Sequence, residues 1–128
     1  MGVLLDSSVL LHCLKTELTT PLGDEEFFLS IMSADELLRA ITRAEKESER
    51  ARRLAWVEAV LENFPVLPID RATTRTHAQI MTGLDKRKIK LGLHESWIAA
   101  TCVAHGLTLI TLEKEHFQHV PGLQTRTP

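Results

Sequence analysis

The apolar run Val3-Leu4-Leu5 stops on Asp6, and Ser7-Ser8 then opens a second apolar stretch, Val9-Leu10-Leu11. A run this short, closed by an acid and two hydroxyls, has the length of a buried strand followed by a capped helix. Strands buried on both faces belong to parallel sheets covered by helices, and such sheets bind their ligands at the C-terminal rim. Asp6 stands at that rim. An aspartate there is also a common helix cap, so one acid alone says little. Here the pattern recurs: Glu36, Glu95 and Glu113 each fall where a predicted strand ends or the next helix begins. Carboxylates converging on one rim repel one another unless a cation sits among them, which points to divalent-metal chemistry on a phosphodiester.

The rest of the chain alternates in the same way. Strands are expected at Gly2 to Asp6, Phe27 to Ile31 and Leu107 to Thr111, with a short extended segment from Phe64 to Ile69 held out of helix by Pro65 and Pro68. Helices are expected from Ser8 to Leu14, from a Ser33-Ala34-Asp35-Glu36 capping box onward, from Glu45 to Asn63, from an Asp70 cap to about Lys86, and from Glu95 to His105 with Gly106 at its C-terminal end. A loop is expected from Thr16 to Glu26, a basic connector from Asp85 to Gly92, and a turn at Val120 to Leu123 before an extended tail. Strand alternating with helix gives an α/β fold, a parallel sheet with helices on both faces.

Bulk properties narrow the function classes. A chain of 128 residues suits one domain with a single core. No apolar run approaches the roughly 18 residues of a membrane span, and the N-terminus carries no signal-peptide pattern, so a cytoplasmic protein is expected. Cys13 and Cys102, the only cysteines, lie among apolar residues and form no CxxC; reduced core thiols are expected. A formal net charge of −2 argues against clamping nucleic acid by bulk charge, so phosphate is expected to be held locally.

Five segments carry a resemblance: LLDSSVLL (Leu4 to Leu11), LSIMSADELLRA (Leu29 to Ala40), FPVLPIDRAT (Phe64 to Thr73), ESWIAATCVAHGLTLIT (Glu95 to Thr111) and HFQHVPGL (His116 to Leu123). In order and spacing they resemble PIN-domain proteins, and among these the VapC-type toxins of toxin–antitoxin pairs. The resemblance implies one PIN domain over residues 1–128, in a three-layer fold. It implies an acidic cluster of Asp6, Glu36, Glu95 and Glu113 that holds Mg²⁺ or Mn²⁺ for RNA cleavage, with Ser8 and Thr111 as supporting hydroxyls. A cognate antitoxin, a homodimer and products with 5′-phosphate and 3′-hydroxyl ends are implied as well.

The chain departs from the family pattern twice. Glu95 stands where relatives normally carry Asp before the Ile-Ala-Ala helix, and its carboxylate reaches one methylene further. Magnesium demands near-octahedral geometry at about 2.0–2.1 Å, so that extra reach matters. His116 precedes Phe117 where many relatives carry an acid. These departures motivate an alternative, a catalytically impaired PIN module that acts by protein or RNA binding.

Several further residues invite a role. Glu36 also fits the N3 position of the Ser33 capping box, and Glu115 competes with Glu113. Arg39 and Arg43 follow Glu36 on about one helical face and are candidates for holding substrate phosphates, or for pairing with Asp35 and Glu47. Lys86, Arg87, Lys88 and Lys90 make the densest basic segment and are candidates for the RNA backbone. The histidines read as surface or structural groups; His94 is the exception, since it directly precedes Glu95 and can face the cleft. Trp56 and Trp97 read as core or interface anchors, and the apolar helix surface at residues 54–61 as a dimer face.

Overall fold

Val3 and Leu5 point to one side of their strand and Leu4 to the other, and each side meets a separate hydrophobic core. That alternation divides the fold into three layers. In a computed structural model describing residues 2–16 and 25–128, the elements run β1 (Gly2–Leu5), α1 (Ser7–Thr16), β2 (Glu26–Ser30), α2 (Ile31–Thr42), α3 (Glu47–Asn63), β3 (Val66–Leu67), α4 (Arg71–Lys86), α5 (Leu93–Ala104), β4 (Thr108–Ile110) and β5 (Gln124–Arg126). A single 3-10 turn, Lys114–Phe117, lies between β4 and β5. Most of the loop expected from Thr16 to Glu26 falls outside the described residues.

The five strands are all parallel, in the order β3-β2-β1-β4-β5. Val3 pairs with Phe27 on one side and Thr108 on the other, which makes β1 the middle strand. Val3, Leu5, Phe27, Leu29 and Ile110 pack with Val9, Leu10, Cys13, Leu37, Val57 and Val60, the buried faces of α1, α2 and α3. Leu4 and Leu109 pack on the opposite side with Ile80, Leu84, Ile98, Ala99, Ala100 and Cys102 of α4 and α5. The near-continuous apolarity of α5 follows, because it lies against the sheet, α4 and the 3-10 turn together.

Helix ends follow local chemistry. Ser30 caps α2 by accepting from the Ser33 amide at 3.0 Å, so the helix starts a turn earlier than the expected Ser33 box. Ser33 is inside the helix and Glu36 is not its capping partner. Asp70 caps α4 as expected, accepting from the Thr73 amide and hydroxyl, both at 2.8 Å. Each such cap contributes about 1 kcal/mol. The helix α5 starts at Leu93, before the expected Glu95, and ends at Ala104; beyond its cap His105, Gly106 has a φ of +65° that permits the Schellman bonds Gly106 N–H to Val103 O and Leu107 N–H to Cys102 O. Cys13 and Cys102 are buried free thiols, and burial pushes that of Cys102 up to about 12. Among the described residues no helix is long and apolar enough to cross a membrane.

Candidate active site

Strand order reverses at β1: the chain steps outward to β2 and β3, then returns to β1's other side as β4. Parallel sheets open a crevice at such a switch point, beyond the C-terminal ends of the two strands. Asp6 follows β1 and Thr111 follows β4, so both stand in that crevice.

Asp6 is buried, and both of its carboxylate oxygens accept hydrogen bonds. Oδ1 accepts from the Ser7 amide at 2.9 Å, while Oδ2 accepts from the hydroxyls of Ser8 at 2.8 Å and Thr111 at 2.7 Å. The Ser8 hydroxyl in turn accepts from the Leu112 amide, and that of Thr111 from the Glu113 amide at 2.9 Å. The two hydroxyls thus lock the acid's orientation and tie it to the segment that carries Glu113.

Asp6, Ser7, Ser8, Leu11, Glu36, His94, Glu95, Ile98, Glu113 and His116 line one open cleft of about 360 Å³. All four acids expected from the sequence meet there. Glu36 arrives from α2 and bonds His94 Nδ1 at 2.5 Å. Glu95, in the first turn of α5, meets His116 Nδ1 at 2.7 Å, and Glu113 approaches the same nitrogen at 3.2 Å. Glu115 is turned away and lines a neighbouring cavity with Lys90, Leu91 and Gly92, which also reaches Glu95 and His116. Asp35 is exposed and pairs with Arg39 at 3.7 Å.

Gly92 caps α5 where a Cβ would lie 2.7 Å from Glu95 Oε1. Glycine here leaves the Glu95 carboxylate room to reach the cleft despite its longer side chain.

The sequence reads His116 as a surface or structural histidine; it is exposed, and it also touches two of the acids. The available signal was its place before Phe117, whose buried ring anchors the turn. The Glu95 carboxylate, with Glu113 and Glu115 adding their charge, holds the His116 imidazole above the usual histidine value. His77 behaves oppositely, because burial lowers it; its ring stacks on Trp97 at 3.6 Å and joins α4 to α5. Trp56 is partly buried against the core.

No lysine or arginine pairs with Asp6, Glu36, Glu95 or Glu113 among the described residues. Donor atoms of Glu95, Glu113 and His116 lie within 4.8 Å of one another, close enough to share one cation. Oxygen donors with an imidazole suit a divalent ion, so the residues present fit a metal. Arg43, Lys86, Arg87 and Lys88 are exposed, outside the residues that line the cleft.

The PIN domain model matches residues 3–123. Ribonuclease VapC1 of Rickettsia felis is 31% identical over 99% of this chain and 96% of its own. A DNA-bound VapBC structure from Salmonella typhimurium has a TM-score of 0.89 at 20% identity, covering 99% of this chain and 98% of that one, and so speaks to the fold. VapBC-5 of Mycobacterium tuberculosis, a member of the VapBC family of toxin–antitoxin systems, has a TM-score of 0.77 at 25% identity over 98% and 96%.

Proposed function

Because the chain belongs to the PIN-domain family, we propose that it is a metal-dependent endoribonuclease, the toxin of a VapBC-type toxin–antitoxin pair. One PIN domain carries the activity, and the catalytic acids are Asp6, Glu36, Glu95 and Glu113, with Mg²⁺ or Mn²⁺ as cofactor. The observation that carries this reading is the cleft itself: acids from β1, α2, α5 and the turn after β4 face one space without a lysine or arginine counter-charge among the described residues. A module that only bound protein or RNA would have no need of such repulsion.

When bound, the cation supplies neutralising charge and Lewis acidity toward an anionic phosphodiester. The chain's own residues supply position. Asp6 is held by Ser7, Ser8 and Thr111, so little reorganisation is left for the moment of reaction. His94 orients Glu36 from the opposite wall. Arg39, Arg43, Lys86, Arg87 and Lys88 are proposed to hold the RNA backbone. Arg39 is shared with Asp35, and the others are exposed and able to follow a flexible strand.

The proposed partners are RNA, a cognate antitoxin and a second copy of the chain. Leu93, 70% exposed beside His94, and Leu112, 46% exposed beside Glu113, give an antitoxin apolar purchase next to the acids. The expected dimer face is smaller than the sequence implied. Val57 and Val60 are buried and Trp56 and Leu61 partly so, which leaves Leu54 as the exposed large residue of that stretch. RNA as substrate and two buried free thiols fit a cytoplasmic site of action.

The test is cleavage of a structured RNA by purified protein with Mg²⁺, with Mn²⁺ and with chelator. Cleavage that needs the ion and disappears in Asp6→Asn is expected. Equal cleavage by the wild type in chelator, or by Asp6→Asn with metal, overturns the assignment.

A further inference from the structure

We infer that His116 is a nitrogen ligand of the metal site, which gives this chain a mixed imidazole–carboxylate donor set that favours Mn²⁺ over Mg²⁺. The inference rests on the metal-dependent reading above and names a ligand that the acidic pattern does not contain. His116 Nδ1 is the point on which two carboxylates from different elements converge, Glu95 of α5 at 2.7 Å and Glu113 of the post-β4 turn at 3.2 Å. Donor atoms of the three groups lie within 4.8 Å of one another.

The ring is placed by its neighbours in the chain. Phe117 is buried against the α4–α5 core, and the His116 amide donates to Glu113 O at 3.0 Å, so the turn holds the imidazole toward the acids. His116 also stands where the resemblance leads one to expect an acid before Phe117. Glu95 is the other departure, and it faces this same nitrogen.

The chemical consequence is selectivity. Magnesium prefers oxygen donors and near-ideal octahedral geometry. Imidazole is a better ligand for the first-row transition ions, and Mn²⁺ also accepts carboxylates. Exchanging one oxygen for nitrogen therefore moves preference toward Mn²⁺ by donor chemistry, without any change in the fold.

The experiment uses the whole protein and Mn²⁺ alone as the probe, without RNA. Pulsed electron paramagnetic resonance of bound Mn²⁺ should show ¹⁴N modulation in the wild type and in His94→Ala, and none in His116→Ala. Calorimetry should show the Mn²⁺-to-Mg²⁺ affinity ratio falling in His116→Asp. Bound Mn²⁺ without nitrogen coupling in the wild type overturns the ligand assignment and leaves the metal-dependent reading standing. Coupling that survives in folded His116→Ala but vanishes in His94→Ala also overturns it. A wild type that binds neither ion overturns this inference and the metal-dependent reading together, and the wild-type spectrum decides even if a variant fails to fold.

Discussion

The Thr111 hydroxyl donates to Asp6 Oδ2 at 2.7 Å across the crevice between the two middle strands, joining residues 105 apart in the chain. The Thr111 hydroxyl oxygen in turn accepts from the Glu113 amide. One buried hydroxyl therefore fixes the orientation of one acid and the backbone of another, and site geometry and sheet pairing become a single structural fact.

Thr111→Val keeps the shape and removes the hydroxyl. It leaves the Glu113 amide without this acceptor and Asp6 with one donor fewer, so stability should fall by about 1–3 kcal/mol in urea denaturation. Cleavage should fall with it, while Thr111→Ser should restore most of both. Unchanged cleavage in Thr111→Val would show that Asp6 needs no such lock.

Gly92→Ala should separate activity from stability. The backbone at Gly92 has φ of −59°, which alanine adopts freely, but the added Cβ meets the Glu95 carboxylate. The unfolding free energy should stay within about 0.5 kcal/mol of wild type, while cleavage falls part of the way toward that of Glu95→Gln, because the carboxylate is the flexible end of its side chain and can turn aside. Adding Glu95→Asp, whose side chain is shorter, should recover activity in the Gly92→Ala background. A fully active Gly92→Ala protein would mean that Glu95 can act from another position.

Acid stability should depend on Glu49. Arg52 and then Arg53 hold its carboxyl down, to about 2 from the usual 4.5, and Arg53 also bonds Ala40 O at the end of α2. A depressed acid contributes stability that is complete above its unfolded value and is lost as pH falls through the folded one. Glu49→Gln should therefore flatten the loss of stability between pH 4.5 and 2, measured by denaturant midpoints across that range. An unchanged acid limb would show these surface pairs to be energetically silent, as many are.

If the proposed homodimer uses the outer face of α3, Leu54→Glu should break it, because Leu54 is the large apolar residue left exposed there. Sedimentation at micromolar concentration should give a dimer for wild type and a monomer for the variant. A wild-type monomer under the same conditions removes the dimer proposal, and a dimeric variant moves the interface elsewhere.

The fold was legible where burial on two faces leaves a continuous apolar run, as in Val3-Leu4-Leu5 and in the Ala-rich α5. Helix boundaries were less so at α2, because Ser30 and Ser33 both suit a cap and only the end of β2 decides between them. The rim acids were legible because each sits at an element boundary. His116 was not, since its contact with Glu95 spans 21 residues and depends on how the 3-10 turn folds back over α5. The dimer face was overread, because periodicity cannot tell an apolar residue that meets α2 from one that meets a second molecule.

The middle position of β1 has a kinetic consequence. The Asp6 amide donates to Ile110 O, and β1 is paired on both edges, so this wall of the cleft opens only when the sheet does. The wall made by Glu113 and His116 hangs on one short turn. Amide exchange should therefore be slowest at Leu5 and Asp6 and faster at Glu113 and His116, whose amides each have one local acceptor. An inhibitor that left this protein would uncover a half-cleft already in its working shape. The outer turn could then readjust locally, without the sheet having to open.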